Sequence, residues 1–287
     1  MDRLGVDLHM AKATAPDEET GMESVTSPDG TEIAYDKTGS GPPLVLVHGG
    51  GVSDHRRWNI GDVRSRLEEH ATVYALDRRG RGQSGDGDEY SLDREVEDVV
   101  TVVESIGEPV TLLGHSYGAN IALEASLLVD SLDGLVLYEP GIAVGDHEMG
   151  DPEATARMNE LLADGRNEEA LEVLLRDVAG LTPAEIDAFR DDPTWDDRVA
   201  GAHTLPREEL VCQEHELRPE RFAEMTTPTL LLTGGESPRK YTDTVKAIDD
   251  ALADSRIVTF EGEQHVAMNT KPALFVDAVV SFVDEVT

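Results

Sequence analysis

The feature that most constrains this fold is the segment 110–118, where a short apolar run ends in Gly114-His115-Ser116-Tyr117-Gly118. The aliphatic residues before the pentapeptide predict a strand, and residues 119–129 after it predict a helix. Glycine at both ends indicates a sharply bent backbone and a helix that passes close to the strand, because a Cβ there would collide. A strand, a tight turn and a helix in this order can hold a serine at the apex as a nucleophile.

Strands and helices alternate on both sides of this segment. The predicted strands are Leu44–Val47, Thr72–Leu76, Leu135–Tyr138, Pro228–Thr233 and Arg256–Phe260, after a hairpin that turns at Ser27–Gly30. The predicted helices are Trp58–His70, Ser91–Ile106, Thr242–Ala253 and Lys271–Glu285. This alternation predicts an α/β fold with a mostly parallel central sheet and helices on both faces.

The alternation stops between residues 141 and 225, where only helices are predicted, at Pro152–Ala163, Asn167–Ala179 and Pro183–Arg190. Because this segment follows the carboxyl end of a strand, where active sites of such sheets lie, we expect an inserted helical cap. Residues 21–140 and 226–287 then form the core, and the polar, acidic residues 1–20 are expected to be a disordered tail. The candidate pocket residues of the cap are Met149, Met158, Leu161, Leu162, Leu174 and Trp195.

The charge excludes two classes of partner. The chain has 59 acidic and 24 basic residues, a net charge of −35, and the acids are spread over its whole length. Such a surface repels nucleic acid and anionic membranes, so neither is expected as a partner. The uniform acidity instead predicts adaptation to high salt, where screening shortens the range of charge repulsion.

Compartment and redox chemistry are constrained by what the sequence lacks. It has no run of about 18 apolar residues and no apolar secretion signal in Met1–Glu19, which predicts a cytoplasmic protein. Its single cysteine, Cys212, excludes an intramolecular disulfide, and the residues beside it offer too few spaced ligands for a zinc site. No phosphate-binding G-x-x-x-x-G-K-[ST] loop is present, and we expect neither a cofactor nor a metal.

A serine nucleophile needs a base, and His265 follows the last predicted strand, at the edge where the strand ends meet. An acid should orient the imidazole, and two glutamates stand between the serine and the histidine at strand ends. Glu139 directly follows Leu135–Tyr138 and precedes Pro140, so its carboxylate is expected in a partly buried site. Glu236 follows the next strand and remains the alternative acid.

Backbone donors for a developing oxyanion are predicted at two places. The run His48-Gly49-Gly50-Gly51 follows a buried strand, and its glycines let a substrate approach the main chain. We expect the first N–H from Gly50 and the second from Tyr117, the residue after the nucleophile.

These motifs together resemble the α/β-hydrolase superfamily from about residue 25 to the end. The matching residues are His48–Gly50, Asp77–Ser84, Gly114–Gly118 and Gly262–His265. The resemblance implies hydrolysis of an ester or related acyl bond, and a structural role for the charges of Asp77–Ser84. Family members often place the acid near position 237, where this chain has serine; others place it where Glu139 stands. Ser116 argues against relatives whose nucleophile is aspartate.

The sequence therefore predicts a serine hydrolase that acts on a small-molecule substrate. Ser116, His265 and Glu139 would cleave a small or medium carboxylic ester through an acyl-enzyme. Three alternatives remain open: a cofactor-free haloperoxidase or perhydrolase, a hydrolase of carbon–carbon bonds, and a non-catalytic ligand receptor on the same fold.

Overall fold

The computed structural model describes residues 21–51, 53–179, 181–190 and 194–287. The tail predicted for residues 1–20 lies outside the described residues. The strands are β1 (Glu23–Thr26), β2 (Glu32–Gly39), β3 (Pro43–Val47), β4 (Thr72–Leu76), β5 (Val110–His115), β6 (Leu132–Tyr138), β7 (Thr229–Gly234) and β8 (Ser255–Phe260).

These strands form one eight-stranded sheet in the order β1-β2-β4-β3-β5-β6-β7-β8. β1 and β2 form the predicted antiparallel hairpin, and β2 is antiparallel to β4. The strands from β3 to β8 pair in parallel. The central strands β3 and β5 are buried along their whole length, as their continuous apolar runs predict.

The α-helices are α1 (Val63–Leu67), α2 (Leu92–Ile106), α3 (Tyr117–Ala125), α4 (Pro152–Ala163), α5 (Asn167–Val173), α6 (Pro183–Arg190), α7 (Trp195–Ala200), α8 (Leu205–Glu214), α9 (Arg239–Ala251), α10 (Ala267–Thr270) and α11 (Pro272–Val286). Short 3₁₀ helices cover His55–Asp62, Gly201–Thr204 and Pro219–Arg221, and a π-helical turn, Leu174–Val178, extends α5.

The helical character predicted for Trp58–His70 is confirmed as far as Leu67, in two short pieces and not as one continuous helix. The chain there is a 3₁₀ helix followed by the short α1, because Gly61 adopts φ +67° and Ile60 is extended, which interrupts the helix.

Helices cover both faces of the sheet, as predicted. On one face, a hydrophobic core joins α2, α3 and α9 to the strands, through residues such as Val99, Ile121 and Val245. On the other face, α1 and α11 pack through Leu67, Phe275 and Val279. The sheet is therefore shielded on both sides, and chemistry is confined to its ends and to the loops there.

Between β6 and β7, the described residues contain helices and a single isolated bridge, Ala143–Glu216. We call residues 152–214 the helical segment. It has its own hydrophobic cluster, and Met158, Leu161, Leu174 and Trp195 are buried in it. Leu162 packs against this cluster, and Met149 is buried elsewhere. These candidate pocket residues therefore mainly build the interior of the segment. The proposed boundaries of a cap at 141 and 225 stay a prediction.

Candidate active site

Ser116 occupies a sharp turn between β5 and α3. Its backbone has φ 54° and ψ −121°, a combination that is strained for a residue with a side chain. Its N–H donates to the carbonyl of Tyr138 at 2.9 Å, which ties the turn to β6. The two flanking glycines are needed for close packing: a Cβ on Gly114 would lie 2.4 Å from the Gly118 carbonyl oxygen, and one on Gly118 would lie 2.4 Å from the His48 carbonyl oxygen. The turn therefore has the geometry of a nucleophile elbow.

His265 contacts Glu139 through its Nδ1 atom, 2.6 Å from Oε2. Glu139 is fully buried at the end of β6 and has φ 46°. Its other oxygen, Oε1, accepts from the Thr233 hydroxyl and the Gly234 N–H, each at 2.8 Å. Burial alone would raise the pKa of Glu139, but the hydrogen bond and charge of His265 and the hydrogen bond from the Gly234 N–H hold it below its ordinary value. Glu139 is therefore an ionised partner for the imidazole.

Glu236, the alternative acid, lies away from this contact. Its side chain is exposed, and its backbone N–H donates to the carbonyl of Glu263 at 2.9 Å. Ser237, at the position where family members often carry the acid, is buried, and its hydroxyl oxygen has no hydrogen-bond partner among the described residues. The carboxylate is thus supplied from the end of β6, and the carboxyl end of β7 supplies a hydroxyl and an N–H donor to it through Thr233 and Gly234.

Aromatic and histidine side chains fix the loop that carries His265. Tyr241, at the start of α9, stacks on the His265 ring with centroids 4.3 Å apart. The Tyr138 hydroxyl donates to the Gln264 carbonyl at 2.5 Å and accepts from the Ala267 N–H at 2.9 Å. The Nε2 of His115 donates to the His265 carbonyl at 2.9 Å, and burial keeps the pKa of His115 well below its ordinary value. His115 is therefore a neutral support for the loop.

The His48–Gly51 loop lies directly against the turn that carries Ser116. A Cβ on Gly49 would be 3.2 Å from the Cβ of Ser116, and one on Gly50 would be 3.7 Å from the Cβ of Tyr117. Gly50 and Tyr117, the two predicted oxyanion donors, are thus neighbours in space. Their role stays a prediction.

The carbonyl of Gly49 is held by two donors. His48 Nδ1 donates to it at 2.9 Å and Arg78 Nη1 at 3.1 Å. The Nε2 of His48 accepts from the Arg78 N–H at 3.3 Å, which fixes the tautomer of the ring. Burial, and then the charge of Arg78, lower the pKa of His48 to about 3, so it is neutral. Arg78 also lies over the ring of Tyr117, 4.5 Å from its centroid.

The charged residues of Asp77–Ser84 form buried ion pairs, which agrees with the structural role interpreted from the sequence. Arg78 pairs with Glu95 and Glu208, and Arg81 also pairs with Glu208. Arg79 pairs with Asp98 and Asp29. Because Glu208 lies on α8, these pairs attach the helical segment to the sheet core.

Asp54, His55 and Asp77 bring three side chains of the metal-ligand type together, with their ligand atoms within 4.8 Å of one another. Each of the two carboxylates already has a partner. Asp77 accepts from the Nδ1 and the backbone N–H of His55, each at 2.8 Å, and Asp54 pairs with the guanidinium of Arg56. The group therefore serves as a hydrogen-bonded support for the loop after β3.

Tyr241 and Glu208 belong to this site but were missed by sequence reasoning. Tyr241 follows the loop after β7, where only Glu236 was considered, and no motif marks an aromatic residue that stacks on a histidine. Glu208 lies in α8, a helix not predicted from the sequence. Its separation from Arg78 along the chain gives no sign of their contact.

Comparison with known proteins identifies the family. The sequence profile of the alpha/beta hydrolase family matches residues 44–278, which is most of the chain. The chain belongs to the alpha/beta hydrolase family. A solved alpha/beta hydrolase from Sphaerobacter thermophilus is 34% identical, with a TM-score of 0.79, and the match covers 91% of this chain and all of that chain.

Other alpha/beta hydrolases match at lower identity. The 2-hydroxy-6-oxo-6-(2'-aminophenyl)hexa-2,4-dienoic acid hydrolase of Metapseudomonas resinovorans is 26% identical over 276 residues, covering 91% of this chain and 90% of that protein. The structure of an esterase from Rhodococcus sp. has a TM-score of 0.73 at 23% identity, covering 93% and 99% of the two chains, and supports the fold. The family match and the similarity to the Metapseudomonas resinovorans hydrolase support a hydrolytic enzyme that acts on a small molecule. None of the helices in the described part of this alpha/beta hydrolase has the length and apolar character needed to cross a bilayer.

Proposed function

We propose that this alpha/beta hydrolase is a serine hydrolase that cleaves a carboxylic ester or related acyl bond. The single observation that carries the proposal is the 2.6 Å contact between His265 Nδ1 and the buried Glu139 carboxylate. With Nδ1 donating to Glu139, the Nε2 atom is the unprotonated nitrogen that can accept a proton from a nucleophile.

The reaction would proceed in two halves. In the first, Ser116 Oγ attacks the substrate carbonyl while His265 takes its proton, and the alcohol leaves with that proton. In the second, His265 deprotonates a water that attacks the acyl-enzyme, and it returns that proton to Ser116 Oγ as the acid product leaves. Glu139 stabilises the imidazolium in both halves. The N–H groups of Gly50 and Tyr117 would hold the oxyanion, and one such donor is typically worth about 10²–10³ in kcat.

The helical segment would act as a cap over this site. Leu174 supports this placement, because a Cβ on Gly51 would lie 3.7 Å from its Cδ2 atom. Glu208 gives a second link, through Arg78 and Arg81, to the loops beside Ser116. Substrate selection would then depend on the helices of the segment, as expected for a fold that varies specificity through inserted loops.

Hydrolysis of a carbon–carbon bond is the second candidate. It is favoured by the similarity to the dienoic acid hydrolase, which extends over 91% of this chain. Such a reaction would use the same Ser116, His265 and Glu139, with a carbanion in place of an alcohol as the leaving group. The two candidates therefore differ in substrate rather than in the residues that act.

The test is covalent labelling with a fluorophosphonate probe, which reacts with an activated serine. We expect wild-type protein to be labelled and Ser116→Ala to remain unlabelled. Ser131→Ala, at an exposed serine before β6, is the matched control and should be labelled like the wild type. Labelling of Ser116→Ala at the wild-type rate would contradict the proposal.

Turnover then separates the candidate reactions. A panel of p-nitrophenyl esters of increasing acyl length should be hydrolysed by wild type and by Ser131→Ala only. A vinylogous diketone tested beside them would reveal carbon–carbon cleavage, and a peroxide-dependent halogenation assay would reveal the haloperoxidase reaction. Tight ligand binding with no turnover of any of these compounds would favour the receptor alternative.

A further inference from the structure

Arg57 forms no ion pair with a carboxylate of the described residues. It lies in the 3₁₀ helix His55–Asp62, after the His48–Gly51 loop. Its Nη1 donates to the side-chain oxygen of Asn269 at 2.7 Å, and its Nη2 lies 3.7 Å from the sulfur of Met268. Both partners are neutral. Among the described residues, no carboxylate lies within ion-pair distance of this guanidinium.

This is unusual in a chain with 59 acidic and 24 basic residues. Other enclosed arginines have carboxylate partners, as in Arg64 with Asp36, Arg78 with Glu95, and Arg79 with Asp98. Burial lowers the pKa of Arg57 to about 10, and the nearby charge of Arg198 adds to this effect. A cation that is partly removed from water without a counter-charge is costly. The site therefore favours binding of an anion.

The position of Arg57 connects this site to the candidate active site. Met268 and Asn269 lie in α10, which follows His265 by two residues. Arg56, the residue before Arg57, pairs with Asp197 of α7 at 2.7 Å, and Arg198 is the next residue of α7. Arg57 thus lies where the helical segment meets the loop that carries His265.

We propose that Arg57 binds a carboxylate group of the substrate, remote from the bond that Ser116 attacks. The proposal rests on the proposed hydrolysis and names its substrate class: a monoester or related acyl compound with a free carboxylate. Arg57 has five N–H donors in a planar fork, and its contacts to Asn269 and Met268 leave others for a carboxylate. The Arg57 side chain is partly buried and partly exposed.

A substrate with a free carboxylate would need a positively charged group at its binding site to offset repulsion by this acidic chain. An overall charge of −35 repels anions, so an acidic substrate gains little from long-range attraction. Charge-assisted, two-point hydrogen bonds from a guanidinium are strong enough to offset this locally. Asn269 fixes one edge of the guanidinium, which reduces the freedom that binding would otherwise remove.

The test compares p-nitrophenyl monoesters of dicarboxylic acids, from succinate to suberate, with p-nitrophenyl esters of neutral acids of the same chain length. The variants are Arg57→Met, which removes the charge at similar length, and Arg57→Lys, which keeps it. Arg66→Met is the matched control, because Arg66 is exposed on the neighbouring α1. Ionic strength is held constant throughout.

For wild type and Arg66→Met, we expect kcat/KM for one chain length of monoester to exceed that of its neutral counterpart by about 10-fold or more. Arg57→Met should lose this preference and hydrolyse the neutral esters within about twofold of wild type. Arg57→Lys should retain part of it. An equal ratio of charged to neutral substrates in wild type and Arg57→Met would overturn the proposal.

Binding provides a readout that does not depend on turnover. In Ser116→Ala, the matching dicarboxylate should raise the thermal unfolding midpoint, and the Arg57→Met substitution in that background should abolish the rise. If chloride gives an Arg57-dependent rise and dicarboxylates do not, the site holds an inorganic ion and the proposal is wrong. If dicarboxylates bind through Arg57 but no ester is hydrolysed, the carboxylate site stands and the proposed hydrolysis fails.

Discussion

At the scale of single residues, Glu139 carries the most specific argument. It is fully buried and accepts three hydrogen bonds, from His265, Thr233 and Gly234. Its φ of 46° is in the left-handed region, which is uncommon for a glutamate and costs energy. A strained, buried carboxylate persists when the surrounding contacts hold it, and here those contacts aim its second oxygen at His265.

The two candidate acids can be separated by kcat. We expect Glu139→Gln to lower kcat on the order of 10⁴-fold, because the amide no longer selects the imidazole tautomer with its proton on Nδ1. Glu236→Gln, at an exposed position, should keep kcat within about twofold of wild type. Steady-state kinetics on one p-nitrophenyl ester at saturating substrate measures both. A large loss in Glu236→Gln alone would assign the acid to that residue.

Sequence order was enough to single out Ser116 and His265 and to limit the acid to Glu139 or Glu236, with Glu139 favoured, because parallel strands bring their carboxyl ends to one edge of the sheet. Arg57 could not be nominated in this way. Its significance comes from its neighbours, Asn269 and Met268, and from the lack of an acid among the described residues around it. Such a property depends on packing between distant segments, and no local pattern in the sequence encodes it.

At the scale of elements, α8 places two successive carboxyl groups in different surroundings. Glu208 pairs with Arg78 and Arg81, and these charges hold its pKa below its ordinary value despite burial. Glu209 has an oxygen, Oε2, that is buried and has no hydrogen-bond partner among the described residues. Burial, and then the charge of Glu208, raise the pKa of Glu209 from 4.5 to about 7. Glu208 therefore anchors α8 through ion pairs, whereas ionisation of Glu209 in the same helix is unfavourable.

Glu209 should therefore make stability depend on pH. Because its pKa is higher in the folded chain, the folded state holds a proton that the unfolded state releases between pH 4.5 and about 7. Stability should fall as pH rises through this range, by up to about 3 kcal/mol. Glu209→Gln should unfold at a higher urea concentration than wild type at pH 8.5 and at a similar one at pH 5.

The control for this prediction is Glu214→Gln, at the exposed end of the same helix. It removes one charge without relieving a buried carboxyl group. If Glu214→Gln and Glu209→Gln change the urea midpoint equally at both pH values, the pH dependence of stability is caused by the overall charge of the chain and not by Glu209.

The elements themselves were predicted unevenly. β3, β4 and the centres of β6 and β7 were recognised because strands covered on both faces are continuous apolar runs. α7 and α8 were missed. α8 turns Glu208 inward and leaves Leu210 exposed, so its polar and apolar residues do not follow the pattern of a surface helix. The buried ion pairs of α8 replace the apolar contacts that would have marked it.

At the scale of the whole molecule, the net charge of −35 dominates. The arginines of the sheet core are already paired with acids, so the excess acids lie mainly on the surface, where they repel one another. This repulsion favours the expanded, unfolded chain. It acts over a distance set by the ionic strength, about 10 Å at 0.1 M salt and about 3 Å at 1 M.

We therefore expect the thermal unfolding midpoint to rise with KCl between 0.1 and 2 M, and most steeply at the low end, where the screening length changes most. Sucrose at equal osmolality is the control, because it stabilises compact states by exclusion from the surface and does not screen charge. If repulsion between acids is the cause, KCl should raise the midpoint well beyond sucrose. A midpoint that is highest without added salt would exclude adaptation to high salt. The remaining effect of the acidic surface would then be the repulsion of nucleic acid and anionic membranes.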